Sequence, residues 1–218
     1  MLAVAAVCAC KLNVDQNQPV AIQITLPDSG RVELTDSFRP HGRALNGFGD
    51  SVAAPIYWSS LDTAVIVVTD STTGVTFAKA VGTGRLSAHA GNLFSNPQTV
   101  TVLVRLDSIG AAGNTRDTLF ASTDTLSDSL SVQAYGTGGT PVSRRVVYAL
   151  TTFPASAPVD TLVPNDTVFT GSTGVAVTRL RRGTGPMPDS VVVTATMRHV
   201  NGTLVQGSPV TFVVEFKP

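Results

Sequence analysis

The sequence predicts an all-β protein made of two tandem β-sandwiches, and three observations carry that prediction. Valine (31 residues) and threonine (28) together exceed a quarter of the 218-residue chain, and β-branched side chains fit a pleated surface. Apolar residues recur with period two and never hold a helical spacing for more than a few positions. Glycine (19) and proline (13) punctuate these runs as turn residues do. Hydrophobic content of 43% is enough to offset the ordering entropy, so the bulk is folded rather than disordered. The length suits two sandwiches of about 100 residues each.

Reading from the N-terminus, both cysteines fall in MLAVAAVCAC, so no disulfide can staple the body of the protein. The apolar run Met1–Cys10 is shorter than the roughly 20 residues that span a bilayer. Val7-Cys8-Ala9-Cys10 resembles the lipobox of bacterial lipoproteins, an aliphatic and two small residues before the cysteine that is lipidated. The resemblance implies a signal peptide, lipidation at Cys10, and a polar tether in KLNVDQNQPV, with residues 1–17 lying outside the sandwiches. No Lys or Arg precedes the run, where that resemblance calls for a positive segment. A frayed apolar strand and a Cys-x-Cys metal site are the alternatives, and Lys11 to Asp15 supply no further soft ligand.

Turn signals then divide the chain: Pro27-Asp28-Ser29-Gly30, Thr73-Gly74, Gly136-Thr137-Gly138-Gly139 and Asn201-Gly202. Asn201-Gly202 reads as a hairpin turn with positive φ at both positions. Between the turns, Val100, Val102, Val104 and Leu106 alternate as one strand. Val191, Val193, Ala195 and Met197 make a second run, and Val210, Phe212, Val214 and Phe216 a third. Each run is apolar on one face, as a sheet packed on one side requires. After Leu106 the composition shifts to DSIGAAGNTRD, which places the first domain at 18–106 and the second at 107–218.

Ile56-Tyr57-Trp58-Ser59-Ser60-Leu61-Asp62, Gly74-Val75-Thr76 and Gly82-Thr83-Gly84-Arg85-Leu86-Ser87-Ala88 resemble the second bacterial Ig-like family, with its W-S-S-x-D, V-T-A and G-T-A-x-I-T-A motifs. Phe77, Gly84 and Leu86 depart from that pattern. Trp58 and Ile56 share a strand face, where Trp58 would seed the core. Val132-Gln133-Ala134-Tyr135-Gly136 through Pro141-Val142, the core strand Val146–Leu150, Gly174–Leu180 and Val191–Thr196 resemble invasin/intimin-type Ig-like domains. Gly136 stands where that family has an acidic residue, and the insert 151–167 is long for a sandwich loop. These resemblances imply two tandem immunoglobulin-like sandwiches in a surface-exposed module used for spacing and adhesion, without catalysis.

Chemistry-bearing constellations are sparse. His41, His89 and His199 lie in distant segments and read as histidines without a role. Gly49-Asp50-Ser51-Val52 resembles the G-D-S-L start of a serine esterase family, but no D-x-x-H block supplies a base for Ser51. Asp117, Asp124 and Asp128, with Asp160 and Asp166 in the insert, are clustered carboxylates that could bind calcium, which takes several oxygen ligands. Solvated turn carboxylates explain them better, and no metal or cofactor is expected. Arg179, Arg181 and Arg182 form the one dense basic patch in the sequence and read as charges that protect a strand edge. Fifteen basic residues balance fifteen acidic ones, and seven of each precede residue 107, so no basic half exists and nucleic acid is excluded as a partner. The expectation is a non-enzymatic lipoprotein of the cell envelope, at the outer membrane or cell surface. It is anchored to the membrane through Cys10 and meets an unknown protein or glycan partner. The alternative is a carbohydrate- or cell-wall-binding accessory domain of a larger secreted system.

Overall fold

The computed structural model describes residues 15–120, 122–155 and 160–218; Cys8 and Cys10, with the lipidation expected at Cys10, lie outside them. The described chain is all-β and forms two tandem Ig-like sandwiches, each with one apolar core.

The first sandwich contains β1 (Ala21–Thr25), β2 (Arg31–Glu33), β3 (Ser37–Phe38), β4 (His41–Leu45), β5 (Ser51–Val52), β6 (Tyr57–Ser60), β7 (Ile66–Asp70), β8 (Val75–Ala78), β9 (Gly82–Ala90), β10 (Leu93–Phe94) and β11 (Gln98–Leu103). Three hydrogen-bonded sheets wrap the core: β1-β4-β5, β3-β8-β7, and β10-β9-β11-β2 with β6 also on β9. Alternation puts Leu86 and Ala88 of β9 and Val100 and Val102 of β11 inside, while Arg85 and Thr99 face out. Trp58 is buried with them. Two glycines make room for its indole: a Cβ on Gly42 would lie 2.9 Å from the ring, and one on Gly74 2.8 Å from Nε1. Gly84, a departure from the family pattern, is likewise required, because Ile66 occupies the place of its Cβ at 2.8 Å. The Asp62 of the W-S-S-x-D motif accepts Arg85 Nε (2.8 Å), Nη2 (3.1 Å) and the Arg85 backbone N–H (2.9 Å). The motif thereby ties the end of β6 to β9.

The second sandwich contains β12 (Arg105–Ala111), β13 (Arg116–Phe120), β14 (Leu130–Thr137), β15 (Arg145–Phe153), β16 (Thr161–Val163), β17 (Thr167–Phe169), β18 (Val175–Arg181), β19 (Ser190–Met197) and β20 (Val210–Lys217). Its sheets run β12-β14-β18-β16 and β13-β20-β19-β15-β17. Val191, Val193, Ala195, Met197, Phe212, Val214 and Phe216 are all buried, as the period-two reading requires. Tyr148 on β15 crosses the core and donates its hydroxyl to the Ala176 carbonyl on β18 (3.0 Å). Burial pushes that phenol far above its ordinary pKa, so it stays a neutral donor. In both sandwiches an early strand pairs parallel with the last, β2 with β11 and β13 with β20. Every other strand-to-strand pairing among the described residues is antiparallel.

Four expectations are corrected. The run Val100–Leu106 is two strands: β11 ends at Leu103 in a first-sandwich sheet and β12 begins at Arg105 in a second-sandwich sheet. The alternation continues through the change because Val102 and Leu106 enter different cores. At Asn201-Gly202 only Gly202 has positive φ (+85°), and its N–H donates to the His199 carbonyl (3.0 Å). This geometry closes a turn on a left-handed glycine and needs no unusual conformation of Asn201. The insert is no plain loop: its first three residues complete β15, and it carries β16 and the start of β17, which pair in different sheets. For that reason Arg179 and Arg181 are not on a sheet edge: β18 lies between β14 and β16.

Gly136 has no room for any side chain, since a Cβ would collide with the Arg105 carbonyl and lie 2.8 Å from both Pro141 and Val104. Gly136→Ala is expected to cost about 1–3 kcal/mol through this overpacking, read as a lower denaturant midpoint in equilibrium unfolding.

Candidate functional site at the junction of the sandwiches

The two sandwiches are joined without a spacer. Leu103 still pairs with Glu33 in the first sandwich, Arg105 already pairs with Thr137 in the second, and only Val104 separates them. The Val104 carbonyl accepts Arg144 Nη1 (3.4 Å).

Strand β2 places Val32 in the first core and leaves the next side chain, Glu33, at the end of the sandwich. Its carboxylate is 1% exposed, and the second sandwich provides every donor it accepts. Arg144 Nη2 and the Val200 N–H (3.3 Å) reach Oε1, while His199 Nδ1 (2.8 Å) and the Leu106 N–H (3.3 Å) reach Oε2. Because a carboxylate only accepts, His199 carries its proton on Nδ1. Burial raises the Glu33 pKa, but the His199 hydrogen bond and the charge and hydrogen bond of Arg144 outweigh it. The carboxyl is therefore held below the usual glutamate range. Burial, with the nearby positive charge of Arg31, draws Arg144 below its ordinary value despite the pull of Glu33. Arginine remains charged across the working pH range regardless.

Local structure fixes these groups. Thr170 fastens Arg144 through two bonds, Arg144 N–H to Thr170 Oγ1 (2.9 Å) and Thr170 N–H to the Arg144 carbonyl (2.9 Å), and holds the preceding residue through Ser143 N–H to the Thr170 carbonyl (2.8 Å). Thr170 Oγ1 donates onward to the Pro141 carbonyl (2.6 Å). His199 is pinned by the turn that Gly202 closes. At the rim, Arg105 Nη1 donates to Thr35 Oγ1 (2.9 Å) and Asp36 Oδ1 (3.2 Å). Gly138 lies against Leu34, which a Cβ would meet at 2.6 Å. The described non-glycine residues with positive φ are Asp28, Ser29, Thr35 and Ser143. Each is near this junction, and such conformations persist only where the surroundings hold them.

The residues singled out from the sequence are not brought together. Ser51 is exposed on β5, opposite Leu45, and no histidine is hydrogen-bonded to it. Asp117 and Asp124 accept backbone N–H groups of Asp128, Thr118 and Phe120. Asp160 is buried elsewhere, where it accepts the Gly183 N–H (2.6 Å) and burial raises its pKa. No three metal-ligating side chains converge among the described residues. His89 sits between Tyr57 and Phe94, with ring centroids 5.6 and 5.5 Å away. His199 alone of the three histidines holds a carboxylate. Glu33 and Arg144 carried no sequence signal, since each sits among other charges, Glu33 between Arg31 and Asp36 and Arg144 beside Arg145.

Strand order and junction together define a tandem Ig-like module. No family model matches the chain, and no curated protein matches it in sequence. Solved structures similar to it include the Yersinia pseudotuberculosis adhesin InvE, 16% identical over 89% of this chain and 59% of that one, with a TM-score of 0.41. This chain thus spans less than two thirds of that adhesin structure. The D00-D0 domain of intimin is 17% identical over 90% of this chain and all of its own, with a TM-score of 0.34. Fibronectin(III)-like modules of Clostridium thermocellum CbhA are 13% identical over 89% of this chain and 95% of theirs, with a TM-score of 0.41. Similarity at this level carries no functional inference, and the fold assignment rests on the strand order above.

Glu33→Ala leaves Arg144 buried without a counter-charge and is expected to cost about 3–5 kcal/mol. A double-mutant cycle with Arg144→Ala should show strong non-additivity in unfolding free energy. The pH dependence follows in sign. With the folded pKa below the unfolded one, the Glu33 contribution is fully present at neutral pH. It begins to fall near the unfolded value of about 4.3 and disappears as pH drops through the lower folded value. Acid titration of Glu33→Gln should show a shallower loss of stability than the parent over that window.

Proposed function

We propose that the chain is a non-enzymatic Ig-like module of the bacterial cell surface, acting as an adhesion or spacer element and tethered through lipidated Cys10. The observation that carries this reading is the junction. A one-residue connection and a buried carboxylate shared between sandwiches hold a fixed inter-domain relation, which a spacer needs and a flexible linker would forfeit. Loops at the ends of such sandwiches are natural contact surfaces for a protein or glycan partner. The W-S-S-x-D and invasin-type motifs support membership of the two bacterial Ig-like families, and their residues have defined structural roles at Trp58, Asp62 and Tyr148.

The tether would be short. The Gln16 carbonyl already accepts the Gly47 N–H of the first sandwich (2.9 Å), so five residues, Lys11 to Asp15, separate Cys10 from the fold. Fully extended they reach about 17 Å, which would keep the first sandwich near the membrane surface. A multiply acylated cysteine would hold it there stably, as a single chain would not.

A second reading, a carbohydrate-binding accessory domain, is favoured by the exposed rings of Tyr57 and Phe94 on either side of His89. Saturable binding on a glycan array, abolished by Tyr57→Ala, would support it over the spacer reading.

Mass spectrometry of the mature N-terminus from cells of the native host tests the anchor. The expected product begins at an acylated Cys10, and a chain carrying unmodified Cys10 contradicts the lipoprotein reading.

A further inference from the structure

A cleft of about 740 Å³ opens at the junction of the sandwiches. Arg31 enters it from β2, Arg144 and Arg145 from the start of β15, and Arg198 and His199 from the end of β19 and the following turn. Four of the chain's twelve arginines therefore line one cavity, and the single carboxylate on its wall is Asp28. The sequence gives no warning of this, because these arginines come from three separate segments of a chain with zero net charge.

Their charges are unequally compensated. Glu33 neutralises Arg144 from inside the junction. Arg198 Nη1 donates to the Gly202 carbonyl (2.8 Å), a neutral partner that fixes the side chain and leaves its charge. The side chains of Arg31 and Arg145 are exposed and have no hydrogen-bond or ion-pair partner among the described residues. Three uncompensated guanidinium groups less the Asp28 carboxylate leave two positive charges, which one dianion would neutralise. Asp28 and Ser29 reach the wall in left-handed conformations, at φ +48° and +55°, in the turn that leads into Arg31. Guanidinium groups are planar donors that pair with oxyanions two bonds at a time. The cavity also has the size of a small-ligand site, about 300–1,000 Å³. No Phe, Tyr or Trp lines it, and its polar character comes from the arginines and His199.

We infer that this cleft binds a tetrahedral oxyanion, phosphate or sulfate, either free or as an ester group on a saccharide. The site requires neither the lipid anchor nor the spacer role. Arg31 and Arg145 would make the charged contacts, while Arg198, fixed by the Gly202 carbonyl, would add its uncompensated charge to the wall.

Isothermal titration of the full chain at low ionic strength with sodium phosphate, sodium sulfate and glucose 6-phosphate tests this, with sodium acetate as the monoanion control. One saturable site per chain is expected, with acetate at least tenfold weaker. The Arg31→Gln/Arg145→Gln variant should lose at least tenfold in affinity at an unchanged thermal midpoint, because neither side chain has a partner in the fold. Tighter binding of glucose 6-phosphate than of phosphate assigns the ester, and equal or weaker binding assigns the free ion. No saturable binding of any of the three dianions overturns the inference, and so does binding that the double variant retains in full.

Discussion

One carboxylate sets the relation between the two halves of this molecule. Glu33 belongs to the first sandwich by its backbone and to the second by every hydrogen bond its side chain accepts. Its position at the end of β2, beside the last residue of β11, puts it where the chain crosses from one sandwich to the other. The crossing itself consumes one residue, Val104, whose carbonyl is also held by Arg144. Neither a linker entropy term nor a free hinge residue remains at this point.

A buried ion pair is not a large net source of stability, because removing two charges from water offsets most of their attraction. Its effect on orientation is stronger. Any other docking of the sandwiches that still buried Glu33 or Arg144 would leave one of them unpaired in a low-dielectric site, at a cost of several kcal/mol. The rim ion pair of Arg105 with Asp36, 43% and 35% exposed, adds about 1 kcal/mol at most. The left-handed residues Asp28, Ser29, Thr35 and Ser143 lie around the same junction. Backbone strain thus accumulates where inter-domain geometry is specified, and the same turn brings Asp28 to the cationic cleft. Spacing and anion binding would share one structural cause, the close approach of β2, the start of β15 and the turn after β19.

Much of the fold was legible from the sequence, because period-two burial is a local property. The runs at 191–197 and 210–216 have the predicted buried faces, and Trp58 is the core aromatic that its motif implied. Local patterns failed where two cores share one alternation, so that Val100 to Leu106 reads as a single strand. They failed again at the insert, where three-residue strands are too short to show any period. The junction was out of reach for a different reason. Glu33 lies 111 residues from Arg144 and 166 from His199, and no spacing rule relates them. The cationic cleft was hidden in the same way: the dense arginine patch in sequence, at 179–182, is not the one that the fold assembles.

The central claim is that Glu33 locks the two sandwiches into one relation, and a distance distribution tests it most directly. Spin labels at exposed Asn96→Cys in the first sandwich and Thr184→Cys in the second, with Cys8 and Cys10 changed to Ser, would report it by double electron–electron resonance. A single narrow distribution is predicted for the parent junction, and a broad one after Glu33→Ala. A broad distribution with Glu33 intact, or a narrow one that Glu33→Ala leaves unchanged, would contradict the account.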